Sequence, residues 1–336
     1  MKRSILGLLY LIQGMRQVGI DVDTRLESIG LQANALDPSA IIHPDLEWDI
    51  LQVIAKDIPS ELGLKIGQHY ALAGYGPMLM LLVTSPTAEI AVKNGIYYQG
   101  LTHLSGVLGL AMSSEMVALT YKPVSMETSL GLLRAQCEIS GTYKFIQDVY
   151  KMVGLIMPEI QVELPFKKPT DVDVLNQYYE YYGRNLNFDM SYASFGFEPE
   201  ILKLKIPSAD AITFNIYKAK CELEVQRLGS ENLNKSSLVE RVNDYLEMQK
   251  GFIPTMAETA NALNIPERTL RYQLQQLNTS YKEIREQLIK DKALRFIEYK
   301  EYSIEVIAEM LGYSEPAAFN HAFKRWFGQS PRQYGK

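Results

Sequence analysis

The stretch Met256-Ala257-Glu258-Thr259-Ala260-Asn261-Ala262-Leu263-Asn264-Ile265, continued by Pro266-Glu267-Arg268-Thr269-Leu270-Arg271-Tyr272-Gln273-Leu274, is written a second time about 49 positions later. The second copy reads Ile304-Glu305-Val306-Ile307-Ala308-Glu309-Met310-Leu311-Gly312-Tyr313 and continues from Ser314 to Phe323. Ala260 matches Ala308, Leu263 matches Leu311, and Leu270 with Leu274 match Phe319 with Phe323. Each copy predicts a short amphipathic helix with a small residue at its crossing point, a tight turn, and a second amphipathic helix. The two units fall at about 257–278 and 304–327. Such a corner can hold one helix out from a small core so that it enters a DNA groove. One corner of this kind is common in helical bundles. Two in register form a repeat.

Between the copies, Tyr281 to Tyr299 carries apolar residues at Ile284, Leu288, Ile289, Ala293, Phe296 and Ile297. This spacing predicts a helix roughly 27 Å long at 1.5 Å per residue. A spacer of that length suits two reading helices about one DNA turn, roughly 34 Å, apart on one side of a duplex.

At 336 residues the chain is long enough for two domains, and 47% hydrophobic with 22% charged residues is the composition of an ordinary globular protein. Its net charge of −5 argues at first against nucleic acid. The imbalance is regional, however. From Ser237 onward there are 14 basic and 13 acidic residues, and the acidic excess lies before that point. After Glu315 come Lys324, Arg325, Arg332 and Lys336 with no acidic residue, so any phosphate contact is local and salt-sensitive. Cys137 and Cys221 lie 84 residues apart in helical patterns and read as buried thiols of a reducing cytoplasm, not as a disulfide or a metal site. Met1 to Ile12 imitates a signal peptide. Yet Ile5, Leu8, Leu9, Ile12 and Met15 fit one helix face and no small-residue cleavage site follows, which favours a buried first helix and a cytosolic protein without a membrane partner.

Residues up to about 115 read as helices. Pro44 starts one that ends before Pro59, a second runs through Leu62 to His69, and Thr87 is placed to cap a third. From 116 on, Met116 to Tyr121, Glu159 to Leu164, Leu186 to Phe188 and Tyr192 to Phe197 read as strands, with helices over Cys137 to Val153 and Asp171 to Tyr182. The expected architecture is an α+β domain over 1–205 with a mainly antiparallel sheet, a connecting helix and linker over 206–236, and an all-α domain over 237–336. The linker itself is the polar run Gly229 to Ser237.

The stretch Ile307-Ala308-Glu309-Met310-Leu311-Gly312-Tyr313-Ser314-Glu315-Pro316-Ala317-Ala318-Phe319, with Ala322-Phe323-Lys324-Arg325-Trp326-Phe327-Gly328-Gln329-Ser330-Pro331, resembles the signature of the AraC/XylS family of transcriptional regulators. Leu62-Gly63-Leu64-Lys65-Ile66-Gly67, Gly74 to Pro77 and Ser85-Pro86-Thr87 are similar to the family's "arabinose-binding" type of N-terminal domain. The resemblance implies a cytoplasmic, dimeric regulator that binds promoter DNA, works with RNA polymerase and senses a small-molecule effector through its N-terminal domain. It leaves the effector, the operator and the sign of regulation open. An effector-independent regulator that uses the first domain to dimerise, and a DNA-repair alkyl acceptor with an appended helix-turn-helix domain, are the alternatives.

Other chemistry finds little support. His43, His69, His103 and His321 never stand at paired metal-ligand spacing, no phosphate-cradling glycine loop or nucleophile elbow occurs, and no cofactor is expected. Neither cysteine has a cationic or histidine neighbour in a recognisable motif, which disfavours an enzyme. Tyr178-Tyr179-Glu180-Tyr181-Tyr182 fits a tyrosine-rich core better than an aromatic cage. Leu6, Met15, Met78, Met80 and Met112 likewise read as core, not pocket.

In the first unit Leu270, Leu274 and Leu277 are expected to point inward, leaving Arg268, Arg271, Tyr272 and Gln275 to face DNA. In the second, Phe319 and Phe323 point inward and Ala317, Asn320, His321 and Lys324 face out, with Arg325 beside them. Arginine suits guanine or phosphate, Asn320 suits adenine, Ala317 a thymine methyl and Lys324 a phosphate. Where the family pattern ends each outward pair in arginine, this chain has Tyr272 and His321. Imidazoles have an ordinary pKa of about 6.5, so at pH 7 a histidine gives up a cationic contact that arginine keeps. A His321→Arg variant is therefore expected to bind non-specific DNA more tightly, with a salt slope steeper by about one, and to shift sequence preference. An unchanged slope and preference in salt-titrated binding would count against this reading.

Overall fold

The computed structural model describes residues 2–229, 237–249, 253–299 and 302–335. The linker expected over Gly229 to Ser237 lies, apart from its two ends, outside the described residues. The first part of the chain comprises β1 (Arg3–Ser4), α1 (Leu6–Gln17), α2 (Val22–Glu27), β2 (Ile41–Ile42), α3 (Pro44–Ile54), α4 (Leu62–Gly67), α5 (Gly76–Val83) and α6 (Ala88–Tyr97). The middle comprises β3 (Val107–Met112), β4 (Val117–Lys122), α7 (Ser129–Met152), β5 (Gln161–Glu163), α8 (Val172–Tyr182), β6 (Leu186–Asn187), β7 (Ala193–Phe197) and α9 (Ala211–Gly229). The last part is helical: α10 (Leu238–Glu247), α11 (Met256–Ala262), α12 (Glu267–Gln276), α13 (Tyr281–Tyr299), α14 (Ile304–Met310), α15 (Pro316–Phe327) and α16 (Pro331–Tyr334).

Packing divides the chain into two compact units, one from the described residues within 1–5, 21–54 and 232–336, the other from 6–20 and 55–231. Residues 21–54 thus pack with the C-terminal helices, across the linear division drawn at 205 and 237.

The unit of residues 6–20 and 55–231 is α+β. Its sheet has the order β3-β4-β7-β5-β6, antiparallel except for the β5–β6 pair. The hairpin pairs Leu108 with Tyr121 and Met112 with Val117, and β7 continues it by pairing Phe195 with Leu119. Strand β3 was not expected from the sequence, because Gly109 interrupts its alternation and weakens the strand signal. Met112, expected in the core, is exposed at the end of this edge strand. Helix α7 begins eight residues before the expected Cys137, where Thr128 accepts a hydrogen bond from the Gly131 amide. It is fixed to the sheet by a buried network: Glu138 pairs with Arg134 at 2.9 Å and accepts hydrogen bonds from the Tyr121 hydroxyl and from the amide and hydroxyl of Ser105. Tyr178 and Tyr182 are buried in the core and Tyr181 donates to the Ser140 carbonyl, so the tyrosine run of α8 is structural. Thr87 caps α6 as expected, accepting from the Ile90 amide.

Within the other unit, residues 21–54 wrap α10. The Tyr245 hydroxyl donates to the Ile29 carbonyl at 2.5 Å, the Gln249 amide group to the Gly30 carbonyl at 2.8 Å, and the Asp37 amide to the Met248 carbonyl at 2.7 Å. Arg241 pairs with Asp49. Asp244 accepts from Lys2 and from the His43 amide, both at 2.8 Å, while burial raises its carboxyl above the ordinary range against the pull of Lys2. Gly30 has φ +72°, and a Cβ there would stand 2.7 Å from Glu258 Cβ, so the chain needs glycine at this close approach.

The tightest helix crossing is α4 on α7. A Cβ on Gly67 would stand 2.0 Å from Ser140 Oγ and 2.2 Å from the Cys137 carbonyl oxygen. Gly95, by contrast, meets only Leu82 side-chain atoms at 3.7 Å or more. Gly67→Ala is expected to lower unfolding free energy by about 1–3 kcal/mol through overpacking, whereas Gly95→Ala gains about 0.5–1 kcal/mol of helix propensity. Urea unfolding of both variants checks the contrast, and equal effects would contradict it.

Candidate nucleic-acid interface

Each helix-turn-helix unit is built by one local device. Thr255 and Ser303 cap the first helices, each accepting a hydrogen bond from the amide three residues on. The first helix then ends on a left-handed residue, Asn264 with φ +53° and Gly312 with φ +77°, 48 positions apart. The hydrogen bonds that follow are equivalent. The Asn264 amide donates to the Asn261 carbonyl and Ile265 to Ala260, just as Gly312 donates to Glu309 and Tyr313 to Ala308, all at 2.9–3.0 Å. Asparagine tolerates the left-handed region better than most residues. Its side chain here donates to the Asp49 carbonyl at 3.0 Å, which ties the turn to residues 21–54. The caps of the second helices, Pro266 and Glu315, are 49 apart, so the second turn holds one more residue than the first.

Burial separates the two faces. Ala260, Leu263, Leu270, Leu274 and their counterparts Ala308, Leu311, Phe319, Phe323 are at most 1% exposed. Leu277 does not join them. It caps the C-terminus of α12 and is 50% exposed, because the chain leaves the helix there and Asn278 turns left-handed.

The sequence-assigned residues lie on the outer faces. Arg268, Arg271, Tyr272, Gln275, Ala317, His321, Lys324 and Arg325 are exposed and Asn320 is half-buried. At an offset of 49, Arg268, Tyr272 and Gln275 coincide with Ala317, His321 and Lys324, each set at i, i+4, i+7 along one stripe. Arg271 and Asn320 coincide likewise. The same offset maps Arg325 onto Gln276, an exposed residue that the face assignment left out and the repeat itself could have supplied. Three of these side chains have partners in the protein, two of them within their own unit and Arg325 on α13. Arg271 pairs with Glu267 at 2.6 Å, and the Asn320 amide group donates to the Pro316 carbonyl at 2.9 Å. Arg325 stands 3.5 Å from Glu286, which also accepts from the Trp326 indole at 2.8 Å. Glu286 and Trp326 lock α15 to α13. Those hydrogen bonds and the nearby cations hold the Glu286 carboxyl below its ordinary range.

A helix-turn-helix domain pattern matches residues 259–336. The pattern of the arabinose-binding domain of AraC transcription regulators matches residues 19–206, more than half of the chain. The chain belongs to the AraC family of transcription regulators. It is similar to the ornithine utilization regulator of Pseudomonas aeruginosa, at 22% identity over 322 residues, 91% of each chain. The HTH-type transcriptional regulator VqsM of the same organism is 24% identical across 84% of this chain and 86% of its own. A crystal structure of the transcriptional regulator CdpR from Pseudomonas aeruginosa is 26% identical, covers 86% of this chain and 89% of that one, and has a TM-score of 0.43.

Other chemistries fare differently in this AraC-family chain. Both cysteines are buried, and burial raises Cys137 strongly and Cys221 to about 11. Those shifts are the reverse of what an activated acceptor thiol needs. Among the described residues no group of three His, Cys, Asp or Glu side chains is placed to hold a metal ion, and no helix is long and apolar enough to cross a membrane.

Helix α13 spans Tyr281–Tyr299 as the spacing predicts, and Lys292 seats it against the end of α10 by donating to the Leu246 carbonyl at 3.4 Å and, just past the helix, to the Gln249 carbonyl at 2.9 Å. Burial lowers the Lys292 ammonium to about 8, opposed by Glu247. A lysine with a depressed folded pKa binds fewer protons folded than unfolded between about pH 8 and its ordinary value near 10.5. Its penalty is complete below pH 8 and fades as pH rises through that window. Relative to Lys292→Met, the native chain should therefore gain about 1–3 kcal/mol of stability between pH 7.5 and 10. A constant difference in denaturant unfolding across this range would refute the assignment.

Proposed function

We propose that this AraC-family regulator binds promoter DNA with α12 and α15 in successive major grooves on one face of the duplex. The supporting observation is the geometric equivalence of the two units, with matching left-handed turns, buried apolar pairs and outward stripes. Arg268, Tyr272 and Gln275 read one groove segment, and Ala317, His321 and Lys324 read the other. Arg271, Asn320 and Arg325 flank them, and the pairs they form with Glu267, Pro316 and Glu286 open or persist according to the operator sequence. Since the domain is close to electrically balanced, non-specific affinity is modest and base contacts carry much of the selectivity.

In this reading residues 1–205 form the effector-sensing and dimerising part, 206–236 the connector and 237–336 the DNA-binding part. The chain works as a cytoplasmic homodimer, and a small-molecule effector biases its promoter occupancy or its contact with RNA polymerase. The match of residues 19–206 to the arabinose-binding domain supports the sensing role. So does an apolar cavity lined by residues of the same stretch.

Selecting duplexes from a random pool with the full-length chain tests the DNA-binding reading. The expected motif is bipartite, with two short elements about 10 base pairs apart centre to centre, and Arg268→Ala relaxes sequence preference in one element while leaving the other intact. A single element, or loss of preference in both from that one substitution, would overturn it.

A further inference from the structure

Among the described residues of the unit of 6–20 and 55–231 lies a cavity of about 200 Å³, walled by α5, α6, α7, the sheet strands β3, β4 and β7, and the segment Pro199–Leu204. Met78, Leu82, Leu108, Val117, Phe145 and Ile201 are representative of its lining. No described lining residue is Asp, Glu, Lys, Arg or His. The two threonine hydroxyls on the wall are already engaged: Thr102 donates to the Gln99 carbonyl and Thr142 to the Glu138 carbonyl, each at 2.7 Å. Tyr75 differs. It is buried, its ring lies against Phe145 with centroids 4.0 Å apart, and its hydroxyl is closed off from the cavity, without a hydrogen-bond partner among the described residues, while Tyr150 also lines the wall. Met78, expected as core, is buried and lines this space.

Native cores close apolar gaps of this size, so one kept open costs stability. Water does not offset that cost, since an ordered water needs two to four polar partners and the wall offers few. From this we infer that the cavity is the effector site and that its ligand is an uncharged, largely hydrocarbon molecule with at most one polar group. The inference rests on the effector-sensing reading above and narrows its chemistry. A cavity of about 150 Å³ lined by Leu, Ile and Phe takes up benzene, so this one admits a substituted benzene or a medium-length chain. A charged amino acid or a pentose does not fit, because each ammonium, carboxylate or extra hydroxyl would be buried without a partner. The domain's arabinose-binding name therefore does not describe what this chain binds.

The walls also give the ligand a lever. Tyr75, Met78 and Leu82 of the α5 region face the cavity and also belong to the apolar cluster that holds Cys221 of α9, together with Phe214, Tyr217 and Val225 of that helix. A ligand that fills the cavity repacks α5, and α5 bears on α9, the last helix of the unit.

The test uses the full-length protein, with 4-ethylphenol and 1-octanol as apolar probes and L-lysine and L-arabinose as polar ones. Calorimetric titration and thermal unfolding are read together with affinity for a selected operator. The apolar probes are expected to bind saturably and to raise the Tm, and the polar ones to do neither. Ala91→Leu, which fills the cavity from α6, should abolish binding of both apolar probes in a protein whose own unfolding remains cooperative. If neither apolar probe binds, or if a polar probe binds and Ala91→Leu does not block it, the inference fails while the effector reading stands or falls on the operator data. Apolar binding that is blocked by Ala91→Leu but leaves operator affinity unchanged would keep the site and remove its role as an effector switch.

Discussion

A forced reversal of backbone hand at Asn264 and Gly312 is the constraint on which the DNA-facing architecture rests. With the first helix stopped by a left-handed residue, the next helix leaves at a fixed angle, and Ala260 or Ala308 lets the two axes approach closely. The apolar pairs Leu270–Leu274 and Phe319–Phe323 then fill the corner, which leaves the opposite stripe of each second helix to solvent. The two turns are satisfied differently. Gly312 adopts its conformation at no steric cost, whereas Asn264 is held in part through its bond to the Asp49 carbonyl. The first unit is thereby joined to residues 21–54 in a way that the second is not by any bond of its turn residue shown among the described residues.

Much of this was legible in the sequence because helix-turn-helix units are local. Capping residues, a small crossing residue, a turn residue and apolar positions at helical spacing all fall within about 20 positions, so periodicity reads them directly. Leu277 shows where that method stops: it continues the apolar spacing of α12 but sits where the helix has ended, so its spacing no longer fixes its direction. Strand β3 was hidden because Gly109 breaks the alternation and because an edge strand leaves residues such as Met112 exposed. Strand order was not legible either, since β7 reaches β4 from more than 70 residues away and only tertiary packing decides which edge it joins.

The cavity was illegible for a more basic reason. Leu, Val, Met and Phe around a void are the same residues in the same helical and strand patterns as those around a filled core, and Met78 was read accordingly. What distinguishes the two is the volume left between elements distant in sequence. The packing of residues 21–54 with α10 was equally invisible. It depends on backbone carbonyls at Ile29 and Gly30 and on the absence of a side chain at Gly30, neither of which leaves a periodic signal.

The central claim is that α13 holds two equivalent reading helices at a fixed separation on one side of the duplex. Its most direct measurement is the affinity of the full-length chain for its selected operator after insertion of 5 or 10 base pairs between the two elements. Five base pairs rotate one element by about half a turn, to the far face. A rigid spacer predicts that this insertion costs as much affinity as deleting one element outright, and that the 10-base-pair insertion, which restores the face but not the distance, costs a comparable amount. Undiminished affinity for either insertion would show that the two units bind independently and would contradict the account.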